Sequence, residues 1–158
     1  MPTKNLFLCV KLSAKRYKSS VSLYGSDFVI VGIHTNEPPY KLSWCLNDTF
    51  MWDFVCEKVP FAVNLPEKLV SMHAEYHYQG SELNPRLWLL QNQGSELRLV
   101  NQKPIPDYFL IVEKEFAELR NWEEMMRNVY GVQHAYTYPE KIAQKMHWVY
   151  NLKHLIKE

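Results

Sequence analysis

Two runs of the chain are apolar at nearly every position: Phe28-Val29-Ile30-Val31, inside a strand-like segment over 28–34, and Tyr108-Phe109-Leu110-Ile111-Val112. A short continuous run of this kind reads as a strand covered on both faces, hence an interior strand of a sheet. Further strand-like segments lie at 6–12, 21–24, 72–78, 86–91, 96–101 and 132–138, with a short strand near Phe54. Helical spacing predicts three helices. In the first, Asn36 can cap and Pro38 or Pro39 can occupy the opening turn, where a missing N–H costs nothing. Leu42, Cys45, Leu46, Thr49 and Phe50 then form its apolar stripe. Phe116, Leu119, Trp122, Met126 and Val129 trace a second helix that stops at Gly131, a residue suited to the left-handed conformation. Pro139 opens a third, with Ile142, Met146 and Val149 on one side and lysines over the rest.

Turn chemistry joins these pieces. Gly25-Ser26-Asp27 suits a hairpin, Pro60 and Pro66 block any long element, and Pro104-Ile105-Pro106 breaks the chain before the second apolar run. Gln79-Gly80-Ser81-Glu82-Leu83 recurs as Gln93-Gly94-Ser95-Glu96-Leu97, which predicts two similar turns in a meander of antiparallel hairpins. The expected fold is α+β: a mostly antiparallel sheet of about five to seven strands with three helices, in a single domain over 1–158.

Composition narrows the function classes. The 158 residues are 47% hydrophobic and 14% aromatic, enough apolar surface for a folded core. Eighteen Lys and Arg against 17 Asp and Glu leave a net charge of +1, so nothing in the overall charge favours nucleic acid or an anionic membrane. Cys9, Cys45 and Cys56 are odd in number and have no C-x-x-C spacing, which argues against a disulfide framework or a cysteine zinc site. Residues 6–10 are too short for a signal-peptide core and run into basic residues, and no segment approaches a membrane span. A cytosolic protein with no membrane association and no cofactor is expected.

The pattern Asp27-Phe28, Gly32-Ile33, Tyr40, Leu42, Trp44 and Leu46-Asn47, with Asp107-Tyr108-Phe109-Leu110 later, resembles a bacterial family called IPExxxDY. The similarity runs in register over residues 24–48 and then through the meander to the elements after Asp107, about two thirds of the chain. Where the family has Ile-Pro-Glu ahead of the Asp-Tyr pair, this chain has Asn101, Gln102 and Lys103. The resemblance implies a small cytosolic α+β protein and assigns no activity.

Candidate chemistry is sparse. Strand alternation places His73, Glu75 and His77 on one face, a two-histidine, one-carboxylate set that could take zinc or iron; the plainer reading is a solvated strand face. Tyr40, Trp44, Asn47 and Asp48, with Asp107 and Tyr108, form a candidate ligand or partner surface; the plainer reading makes the aromatics core anchors and Asn47 a helix-end cap. Lys11, Lys15, Arg16 and Lys18, with Tyr17 among them, are a basic patch that could meet RNA. Cys45 reads as a packing residue, Asp107 as an acceptor for main-chain N–H groups, and no catalytic or nucleotide-binding motif occurs. Trp148, Tyr150, Leu152, Leu155 and Ile156 exceed one stripe on the third helix and suggest a second packing surface. The leading reading is a non-enzymatic protein that binds a protein partner or a second copy of itself, because three helices leave part of the sheet to be covered. The alternatives are an RNA-associated accessory protein using the basic patch and a metal-dependent enzyme at His73, Glu75 and His77.

Overall fold

The computed structural model describes residues 28–117 and 119–152. The expected strands over 6–12 and 21–24, the turn at 25–27 and the basic patch of Lys11, Lys15, Arg16 and Lys18 lie outside the described residues, as do Leu155 and Ile156. In chain order the elements are β1 (Phe28–Thr35), α1 (Pro39–Phe50), β2 (Val55–Cys56), β3 (Phe61–Asn64), β4 (Val70–His73), β5 (Glu75–Tyr78), β6 (Leu87–Gln91), β7 (Tyr108–Glu113), α2 (Lys114–Ala117), α3 (Trp122–Arg127), β8 (Val132–Thr137) and α4 (Glu140–Ala143). Short 3₁₀ turns lie at Pro66–Lys68 and His147–Asn151. Six strands form an antiparallel sheet in the order β2-β5-β6-β7-β1-β8, and β3 pairs with β4 as a separate ribbon.

The two apolar runs are β1 and β7, interior neighbours paired from Phe28 opposite Glu113 to Ile33 opposite Tyr108. Their pleat sorts side chains onto two faces. Val31, Ile33, Leu110, Val112, Leu87 and Leu89 point to one face, where Leu42, Cys45 and Leu46 of α1 and Trp122 and Met126 of α3 cover them. Ile30, Phe109, Ile111, Trp88 and Leu90 point to the other, covered by Phe61 of β3, Leu99, and Met146, Trp148, Val149 and Leu152 of the last turns. Each such aliphatic or aromatic side chain contributes about 1.5–3 kcal/mol on burial. The interior of both faces is thus closed by the chain itself, which corrects the expectation that a face is left for a partner. Trp148 and Leu152 belong to this internal core.

Several elements differ from their sequence pattern. The second helix is two short pieces: Asn121 accepts from the Glu124 N–H and starts α3 afresh, and Leu119 is exposed in the break. The third ends at Ala143 and gives way to the 3₁₀ turn, leaving Ile142 exposed while Met146 and Val149 reach the core. Pro38, not Asn36, is the N-cap of α1, and no side chain caps it. The segment 72–78 is broken at Ala74 into β4 and β5, which serve different sheets. Residues 96–101 make no strand and contribute an isolated bridge between Gln93 and Arg98. The repeated pentapeptide also diverges. Gly80 takes a left-handed φ of 77°, whereas Gly94 leaves room for Ser71 and His73, on which an added Cβ would fall.

The outer rim of β8 carries main-chain groups that no strand pairs, the template on which sheets aggregate. Here α3 occupies two of them. Glu123 Oε1 accepts from the Thr137 N–H at 2.8 Å, Arg127 Nη2 donates to the Ala135 carbonyl at 3.3 Å, and the two side chains are themselves paired at 3.0 Å. The Thr137 N–H holds the Glu123 carboxyl below its ordinary pKa.

Across β1 and β8, Gly32 lies under the Tyr136 ring, where a built Cβ would stand 2.7 Å from Tyr136 Cζ. Tyr136 is held there by its hydroxyl, which bonds the Pro104 carbonyl and the Tyr138 hydroxyl, both at 3.0 Å. Gly32→Ala is expected to displace the ring and destabilise the fold by about 1–3 kcal/mol, measured as a lower urea midpoint with an unchanged slope.

Candidate functional site

The Asp107-Tyr108 pair, the residue before β7 and the first of the strand, reaches back to the turn between β1 and α1. Asp107 Oδ2 accepts from the Thr35 N–H at 2.9 Å, and the Asp107 N–H donates to the Ile33 carbonyl at 2.9 Å. The Tyr108 hydroxyl donates to the Glu37 carbonyl at 2.7 Å. Thr35 completes the turn, its hydroxyl donating to the Gly131 carbonyl at 2.7 Å and accepting from the Glu37 N–H at 3.1 Å. Tyr108 is buried, and burial together with the Asp107 carboxylate pushes its phenol pKa well up, so it remains a neutral donor. The pair is a clamp that sets the start of α1.

Asn47 acts at the other end of that helix. Its Oδ1 accepts from the Phe54 N–H at 2.7 Å and its Nδ2 donates to the Phe54 carbonyl at 3.3 Å, fastening the chain after α1 ends at Phe50. The remaining members of the candidate surface face outward. Tyr40 is 69% and Trp44 64% exposed, Asp48 is exposed, and Met51, which follows the helix at a left-handed φ of 57°, is 86% exposed. The sequence therefore groups residues with two jobs: Asn47, Asp107 and Tyr108 hold α1, and Tyr40, Trp44 and Asp48 lie on its outer side. The reading of Tyr40 and Trp44 as core anchors is overturned, because Leu42, Cys45 and Leu46 fill the buried side.

Spacing places Tyr40 and Trp44 along one line of the helix, with Lys41 and Asp48 beside it and Met51 just past its end. Trp52, Trp88, Trp122 and Trp148 are all buried, so Trp44 is the exposed tryptophan of the five. Lys41 is paired with Glu37 at 2.8 Å and lies 5.5 Å from the ring centre of Tyr130, which is also exposed. The left-handed backbone of Met51 costs about 1–2 kcal/mol. Composition alone could not expose this stripe, since Tyr, Trp and Met are also the residues of a core.

His73, Glu75 and His77 are buried, which corrects the solvated strand face. They do not gather as ligands: among the described residues no three His, Cys, Asp or Glu side chains form a group able to hold a metal ion. His73 is engaged on both ring nitrogens. Nδ1 lies 3.0 Å from the Gln91 carbonyl, which can only accept, so Nδ1 carries the proton and Nε2 accepts from the Ser71 hydroxyl at 3.1 Å. The Ser71 oxygen accepts in turn from the N–H groups of Glu96 at 3.3 Å and Leu97 at 3.2 Å. This chain has the order of a nucleophile, a base and an orienting acceptor, but Ser71 and His73 are both fully buried and the hydroxyl is committed to the turn at 94–97. Its role is to fasten that turn to β4. His77 stacks on Trp88 with ring centres 5.7 Å apart.

Burial raises the Cys45 thiol pKa, in keeping with a packing residue. A grouping that sequence reading missed lies on β1 and β8. His34 and His134 are register partners with ring centres 6.0 Å apart, Tyr136 completes the triangle at 5.5 and 5.8 Å, and Asp107 Oδ2 is 4.0 Å from His34 Nδ1. Only strand pairing could reveal it, because 100 residues of sequence separate its two histidines. Comparison with family models, curated proteins and solved structures found no match to the chain.

Tyr108→Phe leaves the Glu37 carbonyl without its donor and is expected to cost about 1 kcal/mol, and Asp107→Ala about 1–3 kcal/mol, both read from urea midpoints. Burial holds the His73 pKa below its ordinary value. As pH falls through about 6.5 the unfolded chain takes up a proton that the folded one refuses, so this contribution to stability is present above that pH and is lost progressively below it. Between about pH 7 and about pH 5 the protein should lose stability, and His73→Gln should lose less over the same interval, as measured by denaturation at each pH.

Proposed function

We propose that this protein is a non-enzymatic interaction module that binds a protein through the outer side of α1. The observation that carries the proposal is the exposure of Trp44 between Tyr40 and Met51, in a chain whose other tryptophans are buried. Tryptophan and tyrosine are the side chains that dominate binding hot spots, where they fill a partner's pocket and are shielded by a polar rim. Lys41 and Asp48 are placed to form such a rim. The Asp107, Tyr108 and Asn47 bonds support the reading from beneath, because a contact surface gains affinity when its helix is held before the partner arrives.

The proposal includes the resemblance to the IPExxxDY family. The clamp made by Asp107 and Tyr108 supports it by giving the Asp-Tyr pair a fold-defining role, which a family-wide motif of this kind would have. It also includes a cytosolic setting, supported by the free thiols of Cys45 and Cys56. Among the described residues no helix is long and apolar enough to cross a membrane.

Trp44→Ala should alter folding stability by less than about 0.5 kcal/mol, the usual range for a surface position. A photo-crosslinking amino acid at position 44 should give a discrete protein adduct in the native cell, whereas one at exposed Glu82 should not. A loss of more than about 2 kcal/mol in Trp44→Ala, or adducts that are the same from both positions, would remove the proposal.

A further inference from the structure

The partner can be named from the pattern of the stripe itself. We infer that the outer side of α1 binds a second copy of this chain, with the two helices antiparallel about a two-fold axis near Trp44. The inference rests on the reading of α1 as a contact surface.

A two-fold interface is made of the same patch twice, so residue i of one copy meets residue j of the other and j meets i. The stripe satisfies that condition in both its apolar and its charged positions. Tyr40 stands near one end and Met51 at the other, both largely exposed. Lys41 and Asp48 are similarly placed in from each end, with opposite charges. Turning a second helix end for end brings Tyr40 against Met51 and Lys41 against Asp48, each pair formed twice, and both sets are centred on residues 44–46. Trp44 then lies beside the axis and packs against its own counterpart. The antiparallel arrangement also sets the two helix dipoles head to tail, which a parallel one does not.

Charge supports this over a contact with an unrelated protein. Lys41 and Asp48 have opposite signs and equivalent places from the two ends, so the stripe meets its own reverse with no like charges opposed. Lys41 is already fixed in place by Glu37 at 2.8 Å, so less side-chain freedom is lost when it meets a second carboxylate. Size is also adequate. The 12 residues of α1 span about 18 Å. Tyr40, Trp44, Met51 and neighbouring Tyr130 expose on the order of 500 Å² between them, against about 800 Å² per partner in a standard interface, and flanking polar groups supply the rest.

Sedimentation equilibrium of the full chain over a wide concentration range tests the inference. The unaltered protein should be a dimer that dissociates on dilution. Asp48→Lys sets Lys41 of each copy against the lysine introduced in the other and should weaken the dimer about tenfold or more, and Lys41→Glu should do the same by setting two carboxylates together. An equimolar mixture of these two variants should restore a dimer of one copy each, because Lys41 of the Asp48→Lys copy then meets Asp48 of the Lys41→Glu copy, and the introduced lysine meets the introduced glutamate. That restoration also shows that neither variant has failed to fold. A strict monomer, or a dimer indifferent to both substitutions, would overturn the inference. The crosslink from position 44 separates the two levels of the argument. A monomer that crosslinks to another protein overturns the second copy and leaves the contact surface standing, and a monomer that crosslinks to nothing overturns both.

Discussion

The pairing of β1 with β7 is the constraint on which the remaining structure depends. Both strands are apolar on both faces, so neither is stable until each face is covered and the ladder between them is closed. The register that aligns Phe28 with Glu113 also carries Asp107 and Tyr108 to the end of β1, within reach of the turn that opens α1. Because the clamp is made of main-chain partners, the start of α1 is tied to the sheet independently of the side chains on the helix. This arrangement leaves Tyr40, Trp44 and Asp48 on the outer side of α1, away from the bonds that fix the start of the helix.

The same logic recurs at smaller scale. Several buried and half-buried polar groups serve main-chain segments that have no secondary structure of their own: half-buried Asn47 holds the chain at Phe54, and His73 and Ser71 hold the turn at 94–97. Asn92 does the same further on, its Nδ2 donating to the carbonyls of Val100 and Pro106 and its Oδ1 accepting from the Val100 N–H. A long stretch between β6 and β7 is thereby kept against the sheet without forming strands. Side chains that resemble catalytic or ligand groups by residue type thus serve to hold loops. At the rim, Glu123 and Arg127 occupy two of the outward main-chain groups of β8, those of Thr137 and Ala135, which discourages edge pairing there.

Much of this is legible from residue order alone. Unbroken apolar runs identify β1 and β7 as interior strands, helical spacing identifies the buried side of α1, and the glycine at 131 matches a left-handed turn, which it takes at φ 82°. Other elements are hidden. The strand at Phe61–Asn64 follows no clear alternation, and the break at Ala74 occurs because one continuous polar-apolar pattern is shared between two sheets. The helix expected through 116–129 is divided because Asn121 is a better N-cap than an interior residue, a local preference that outweighs the apolar spacing. Residue order brings out the candidate site as a set but does not sort it into clamp and surface.

Sequence by itself determined the class of fold and which strands are interior, because continuous hydrophobicity permits no other place for them in water. Tertiary structure alone decided which aromatic residues are core and which are exposed. Tyr40 and Trp44 carry the same chemistry as Tyr108 and Trp122, and the difference lies in which side of α1 the clamp at Glu37 and Thr35 turns toward the sheet. That orientation is set by contacts more than 70 positions apart in the chain, and no local pattern encodes it.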